Sequence, residues 1–460
     1  MPLVNQIIHC VQFVQRGNMH SAPTDCPQRT ERFGWLGDMQ AFAQTSMYNM
    51  DMAGFLTKWV ADIRDSQLED GRFPNLAPHP SDLDWLRWYN AEYGPAWSDA
   101  GIIIPWLTYL NYGDKRILEQ QYEAAVRWVK FIHERNPDLI WRNSRGGDYG
   151  DWLNGSMTGL KEYPRESSEV AKDLFATAFF AHSTDLLSRM ANVLGFTRDA
   201  TRYAALYKEI KSEFNREFVL SDGRVKGNTQ AGYALVLNLN LVSKDLRSKV
   251  TGYLLEAIQN YKGHLSTGMQ TTHRMMLELT RNGHHDEAWR LINLRSAPSW
   301  GHMVEMGATT IWERWDGFKS DSTFQSPNMN SFNHMAFGAV GEWVWKSVVG
   351  INVDDEHPGF KHFIIKPGVI KQSAWVKGEF ETIRGTIVSH WKQQNDKFEI
   401  EIQIPANTTA TLYIPTSEFK TVKEGGRSVK RVGGIDFMGM QDDYAVFRVG
   451  SGDYSFESVL

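Results

Sequence analysis

The sequence predicts a mainly α protein that ends in a small antiparallel β domain, and three observations carry that expectation. From Asp173 onward, Phe175, Ala178, Phe179, Leu186, Met190 and Val193 recur at three- and four-residue steps, the period of a helix with an apolar face. Between Phe398 and Ile404 apolar and polar residues alternate strictly, the pattern of a half-buried strand. The length of 460 residues accommodates about three domains at ~150 residues each, or one large barrel with a smaller companion.

Taken in order, Leu3, Ile7, Val11 and Val14 fall on one helical face and predict a short helix docked on the core. A loop spans Asp25 to Asp38, where Pro27 and Gly34 oppose a regular helix. Asp38 is expected to cap a helix running to about Ser66. The stretch Glu69–Pro95, rich in Pro, Asp, Trp and Tyr, reads as a long loop. Helices follow over Trp97–Asn111 and Lys115–Glu134, then a second irregular loop over Asn136–Tyr163. A helix from Asp173 and another over Asp199–Phe218 should pair across the turn at Gly195. Further helices are expected over Gln230–Leu239, Lys244–Tyr261, Thr271–Arg281, His285–Leu294 and Ser331–Val348. Ten to twelve helices with short links and no fixed short repeat predict a toroid of helical hairpins rather than a regular solenoid. After Gly350, strands are expected over His362–Ile365, Thr386–Trp391, Phe398–Ile404 and Thr411–Ile414. The division is residues 1–350 and 351–460.

Composition narrows the function classes. The apolar share of 42% and charged share of 22% are ordinary for a globular protein. A net charge of −5 with no basic run argues against nucleic acid or an anionic membrane as partner. No stretch is long and apolar enough to span a membrane. No basic segment followed by an apolar run opens the chain, which leads to a cytoplasmic expectation. The two cysteines, Cys10 and Cys26, show neither metal-ligand spacing nor a disulfide framework, so no metal or cofactor is expected. The 17 Trp, 16 Tyr and 24 Phe offer flat apolar faces on which sugar rings can stack, although most are expected in the core.

Two carboxylates stand out. Glu31 lies in Asp25-Cys26-Pro27-Gln28-Arg29-Thr30-Glu31-Arg32-Phe33-Gly34-Trp35-Leu36-Gly37-Asp38. A Trp35 ring against it would raise its pKa by desolvation, while Arg29 and Arg32 would favour the anion. The bland reading of this stretch is a turn with a solvated charge cluster. Glu313 lies in Gly307-Ala308-Thr309-Thr310-Ile311-Trp312-Glu313-Arg314-Trp315, bracketed by tryptophans. A carboxylate there needs specific partners or a cleft. The bland reading is an ion pair with Arg314.

These two stretches resemble the acid and base motifs of glycoside hydrolase family 78, the bacterial α-L-rhamnosidases. The family reads D-C-P-Q-R-x-E-R-x-G-W-x-G-D at its general acid and G-A-T-T-x-W-E-x-W at its general base, and every fixed position matches. The resemblance implies an (α/α)6 barrel followed by a β-sandwich, and a metal-free inverting glycosidase with Glu31 as acid and Glu313 as base. It further implies that Asp25, Arg29, Trp35, Asp38, Trp97, Trp152 and His334 contact the sugar of a rhamnose-containing glycoside. Family members usually carry β domains ahead of the barrel, whereas this chain starts about two dozen residues before the acid motif. Thr30 stands where the family is often acidic. The competing readings are another (α/α)6-barrel glycosidase, of glucuronyl hydrolase or trehalase type, and a sugar-binding protein without catalysis. An acidic sugar would want more basic residues in the pocket than Arg29, and a binding protein without catalysis would lack one of the two glutamates.

Overall fold

The computed structural model describes residues 2–80, 92–159, 169–326, 331–370 and 375–460. The chain divides into two compact units, Met1–Leu107 with Lys115–Gly341, and Thr108–Asp114 with Glu342–Leu460.

The helical unit is built from α1 (Pro2–Asn18), α2 (Leu36–Asn49), α3 (Ala53–Asp65), α4 (Ala100–Tyr112, of which the residues from Thr108 fall in the second unit), α5 (Arg116–Arg135), α6 (Lys172–Leu194) and α7 (Thr197–Phe218). It continues with α8 (Gln230–Asn238), α9 (Arg247–Asn260), α10 (Thr272–Arg281), α11 (His285–Ile292) and α12 (Trp300–Glu305). Burial sorts these helices into two rings. On α7 only Tyr203, Leu206, Ile210, Phe214 and Phe218 are buried, one stripe at helical spacing. The helices α1, α3, α5, α9 and α11 show the same one-sided burial. By contrast α2 is buried from Leu36 to Tyr48, α8 from Gln230 to Leu237 and α10 from Thr272 to Leu279. A helix buried on every side belongs inside. The alternation of outer and inner helices along the chain is an (α/α)6 toroid, whose sixth inner position is taken by the 3₁₀ turn Ala336–Ala339.

The α6–α7 hairpin forms as its sequence dictates. Gly195 takes φ +81°, its N–H bonds to Asn192 O at 3.1 Å, and the Phe196 N–H bonds to Ala191 O at 2.8 Å. That pair of bonds is a Schellman stop, which closes a helix where only glycine adopts the left-handed backbone without strain.

Four expectations change. The helix expected from Asp38 to Ser66 is two helices: Met50 is extended, and Asp51 accepts the Ala53 N–H at 3.0 Å, restarting the chain as α3. Asp38 is not a cap. The helix starts at Leu36, whose N–H goes to Asn75 O at 2.9 Å, leaving the Asp38 carboxylate free for a tertiary partner. The helix expected from Ser331 begins only at Ala336 and ends as a π-helical turn, Val344–Val349. Sequence reading passed over α12, which Ser299 caps by accepting the His302 N–H at 3.0 Å. The loop expectations at Glu69–Pro95 and Asn136–Tyr163 fall partly on residues 81–91 and 160–163, outside the described residues.

In the second unit, two sheets have strand orders β1-β2-β6-β10-β9 and β3-β4-β5-β11-β7-β8. The strands are β1 (Ile351–Val353), β2 (His362–Ile365), β3 (Trp375–Thr382), β4 (Gly385–Gln394), β5 (Lys397–Ile404) and β6 (Thr409–Pro415). The remainder are β7 (Lys423–Glu424), β8 (Arg427–Ser428), β9 (Ile435–Gln441), β10 (Tyr444–Val449) and β11 (Gly452–Val459). Phe398, Ile400, Ile402 and Ile404 of β5 all face inward, as the alternation requires. Among the described residues all strand pairs are antiparallel except β2–β6, which runs parallel because the chain leaves the first sheet after β2, builds β3–β5 in the second, and returns.

Candidate active site

The loop that follows α1 is closed on itself by Asp25. Its N–H bonds to Phe33 O at 2.9 Å, and its carboxylate accepts the Phe33 N–H at 2.8 Å. Gly34 then passes so close to Ala77 that a Cβ would lie 2.1 Å from the Ala77 carbonyl oxygen. Trp35 and Leu76 form a bridge there, which fixes where α2 starts. The loop thus holds Glu31 at the inner end of α2 without being helical itself.

Glu313 is held from the other end of the unit. Its N–H bonds to Ser331 O at 2.8 Å, its Oε2 accepts the Ser331 N–H at 2.9 Å, and the His334 N–H bonds to Ile311 O at 2.8 Å. These bonds explain why residues 331–335 are not helical: their backbone is spent on the segment that carries Glu313. Gln28 joins the two segments, donating to Ser331 Oγ at 3.0 Å.

Arg29 lies between the carboxylates. Its Nη1 is 3.4 Å from Glu313 Oε2 and its Nη2 is 3.9 Å from Glu31 Oε2. The Glu31 side chain is 28% exposed and that of Glu313 11%, so both are sheltered and the first remains reachable. Trp35 donates its indole N–H to Glu31 Oε1 at 2.8 Å. The Glu31 carboxyl is pushed above the usual carboxylate range by burial first and the Glu313 charge second. These outweigh the opposing pull of the Trp35 hydrogen bond and of Arg29. Asp25 is pushed up to about 8, again by burial and then by Glu31. Both adjoining carboxyls thus hold a proton more readily than an ordinary carboxylic acid does. Burial also raises the Cys26 thiol, which stays protonated beside Asp25.

Asp38 and His334 form the next pair inward, His334 Nε2 to Asp38 Oδ1 at 3.0 Å, both nearly closed to solvent. Burial works against charge on His334, but the Asp38 hydrogen bond and the charges of Asp38, Glu313 and Asp25 win and raise its pKa to about 9. The Ala336 N–H contact to Nδ1, which favours a neutral ring, is long at 3.4 Å and is the weaker influence.

The aromatic residues gather beside the carboxylates. Trp97 packs flat on α2, where a Cβ on Gly37 would sit 2.3 Å from the indole ring. Trp152 is placed by its neighbour Asp151. That buried carboxylate accepts the N–H groups of Gly268, Gln270 and Thr271 at 2.6, 3.1 and 3.1 Å, and burial raises its pKa to about 6. Tyr149 meets the rings of Trp35, Trp97 and Trp152 at centroid distances of 5.8, 4.9 and 5.7 Å. Sequence reading missed Tyr149, Gln28 and Ser331. The Tyr149-Gly150-Asp151-Trp152 run was the available signal for the first and the fixed Gln of the acid motif for the second, while Ser331 carries no signal of its bond to Glu313.

All nine residues singled out from the sequence lie in this helical unit and connect through the contacts above. Arg314 does not pair with Glu313; its Nε is 3.1 Å from Asp316 Oδ1. Asp316 also accepts from Gly159 N–H at 2.7 Å and Gln325 Nε2 at 2.6 Å, so it is a satisfied structural carboxylate. Among the described residues, no helix is long and apolar enough to cross a membrane.

The chain is similar to known proteins along its whole length. Residues 1–348 match the bacterial alpha-L-rhamnosidase 6 hairpin glycosidase domain, and residues 350–428 the bacterial alpha-L-rhamnosidase C-terminal domain. An alpha-L-rhamnosidase of Streptomyces avermitilis is 39% identical over 99% of this chain and 41% of its own length. One from Formosa agariphila is 35% identical over 91% of this chain and 44% of its own. The crystal structure of the Streptomyces avermitilis enzyme complexed with L-rhamnose aligns with a TM-score of 0.88 at 38% identity, covering 99% of this chain and 41% of that one. The α-L-rhamnosidase from Dictyoglumus thermophilum aligns at 0.89 and 34% identity, covering 100% and 50%. The chain thus spans well under half the length of the two curated relatives.

Proposed function

Because the chain belongs to the bacterial α-L-rhamnosidase family, we propose that it hydrolyses terminal α-L-rhamnosides, with inversion at the anomeric carbon. The observation that carries the mechanism is Arg29, whose single guanidinium contacts both Glu31 and Glu313. A guanidinium bridge at these distances keeps the carboxyl oxygens within roughly 10 Å, which accommodates the ~6.5–9.5 Å that an inverting pair needs to admit water.

Glu31, whose hold on a proton is strengthened by burial and by Glu313, gives that proton to the glycosidic oxygen as that bond breaks. Glu313, held by the Ser331 N–H, takes a proton from the water that attacks the opposite face of the sugar. The C–O bond to the leaving group breaks while the C–O bond to water forms, through an oxocarbenium-like transition state. Asp25, Asp38 and His334 form the polar floor that binds ring hydroxyls, and the aromatic group faces the apolar methyl. Arg29 is already engaged by two carboxylates, which disfavours an acidic sugar as substrate.

The test is hydrolysis of p-nitrophenyl α-L-rhamnoside beside a panel of other aryl glycosides, with proton NMR of the first sugar released. Release of β-L-rhamnose supports the reading. Release of the α anomer would overturn the mechanism, and activity confined to a different glycoside would overturn the substrate.

A further inference from the structure

The three tryptophans that the sequence points to are not equal in the structure. Trp97 is 2% exposed and Trp35 8% exposed, so they present less surface than their two aromatic neighbours. Tyr149 and Trp152 are half-buried and keep accessible surface. The Tyr149 ring is the meeting point of the group, at 80° to Trp35, 58° to Trp97 and 61° to Trp152. Edge-on and tilted contacts of this kind are the favoured aromatic geometries, and three on one ring hold it in place. Trp35 in turn donates to Glu31 at 2.8 Å, so Tyr149 is one side chain away from the acid.

The backbone around Tyr149 is fastened on both sides. Upstream, the Gly147 N–H bonds to Tyr93 O at 2.8 Å, and Gly146 at φ +55° approaches Tyr93 too closely for a Cβ. Downstream, Asp151 is tied to residues 268–271 by the bonds already described. A ring held by its neighbours and by its own loop is preorganised and presents a rigid apolar surface.

We propose that Tyr149 is a specificity-determining residue of this site, its ring forming the apolar surface that receives the C5 substituent of the sugar and favours a methyl over a hydroxymethyl group. This rests on the α-L-rhamnoside reading and deepens it. The ring face, rather than the phenol hydroxyl, is the selective element, because an added sugar hydroxyl pressed on it loses water without gaining a partner. Apolar pockets discriminate against an added hydroxyl by about 10²-fold at most.

The experiment compares the protein with its Tyr149→Phe, Tyr149→Leu and Tyr149→Ala variants on p-nitrophenyl α-L-rhamnoside and p-nitrophenyl α-L-mannoside, which differ only at C6. Tyr149→Phe should keep the ratio of kcat/KM between the two within about twofold. Tyr149→Ala should lower that ratio about tenfold, mainly through a higher KM for the rhamnoside, with Tyr149→Leu between them. An unchanged ratio in both Ala and Leu variants, or a Phe variant as unselective as Ala, overturns the proposal. Tryptophan-fluorescence titration with free L-rhamnose and L-mannose separates the two readings. If the protein hydrolyses no aryl rhamnoside, the functional reading fails, yet a preference for L-rhamnose that disappears in Tyr149→Ala still supports the role of the ring. Equal binding of both sugars by the unaltered protein overturns it.

Discussion

At the scale of single residues, the site depends on which carboxyl keeps a proton. Glu31→Gln should cost ~10²–10⁴-fold in kcat on a natural rhamnoside and much less on an aryl rhamnoside with a good leaving group. Glu313→Gln should be severe on both, and azide should partly restore it, since an anionic nucleophile needs no base. Near-wild-type turnover by Glu313→Gln would remove it as base. Asp316 and Glu305 could not easily replace it, because Asp316 is saturated with partners and Glu305 pairs with Arg295. Since Glu31 must be protonated, kcat/KM should fall as pH rises through its raised pKa. Arg29→Gln removes a charge that lowers that pKa and should move the alkaline limb upward, which a pH–rate profile would read. Asp25 and His334 affect stability in the same sense. For each, the folded pKa lies above the unfolded one, so their contribution is full below the unfolded pKa and is lost as pH rises through about 8 and about 9 respectively. Thermal melts of Asp25→Asn should therefore gain on the unaltered protein between roughly pH 4 and pH 8. A constant difference across that range would show that Asp25 titrates normally.

At the scale of elements, α2 matters most, because two glycines let other chain segments reach it. Gly37→Ala would place a methyl 2.3 Å from the Trp97 ring. Overpacking of this kind typically costs about 1–3 kcal/mol, and the displaced Trp97 should disturb Tyr149 and raise KM. A urea midpoint and KM both unchanged would mean that the helix shifts to accommodate the methyl. Gly34→Ala should be worse, because the atom it meets at 2.1 Å is a backbone carbonyl with no rotamer to change. The other elements near the site show the same economy. Residues 331–335 give up helix to hold Glu313, and Asp151 gives three of its contacts to the residues just before α10.

At the scale of the molecule, the β unit includes residues before its first strand. Within that unit Trp391 Nε1 donates to Val348 O at 2.9 Å and Ser389 Oγ to Val349 O at 2.8 Å. A fragment of residues 351–460 would leave both donors without those acceptors. It should be less stable in urea than residues 342–460 by about 1–3 kcal/mol. Equal midpoints would place the working boundary at 350 after all.

The sequence alone determined the elements whose signals are local. The 3.6-residue period marked α6 and α7, Gly195 marked their turn, and alternation marked β5, because each pattern is written in adjacent residues. The two motifs likewise placed Glu31 and Glu313 as a candidate pair. Local rules failed where a residue answered to a distant one. Asp38 looked like a cap and instead binds His334, and Ser331 looked like a helix start and instead holds Glu313. Whether Arg29 or burial governs Glu31 was open in the sequence, since both pulls come from groups whose distances only folding sets. Arg29 and Glu313 are 284 residues apart and meet at 3.4 Å. For Tyr149 the sequence offered only its place beside Trp152, because its importance lies in three rings drawn from three separate segments. Tertiary structure decided these points because desolvation and charge–charge interaction depend on distance in space, while period and propensity depend on distance along the chain.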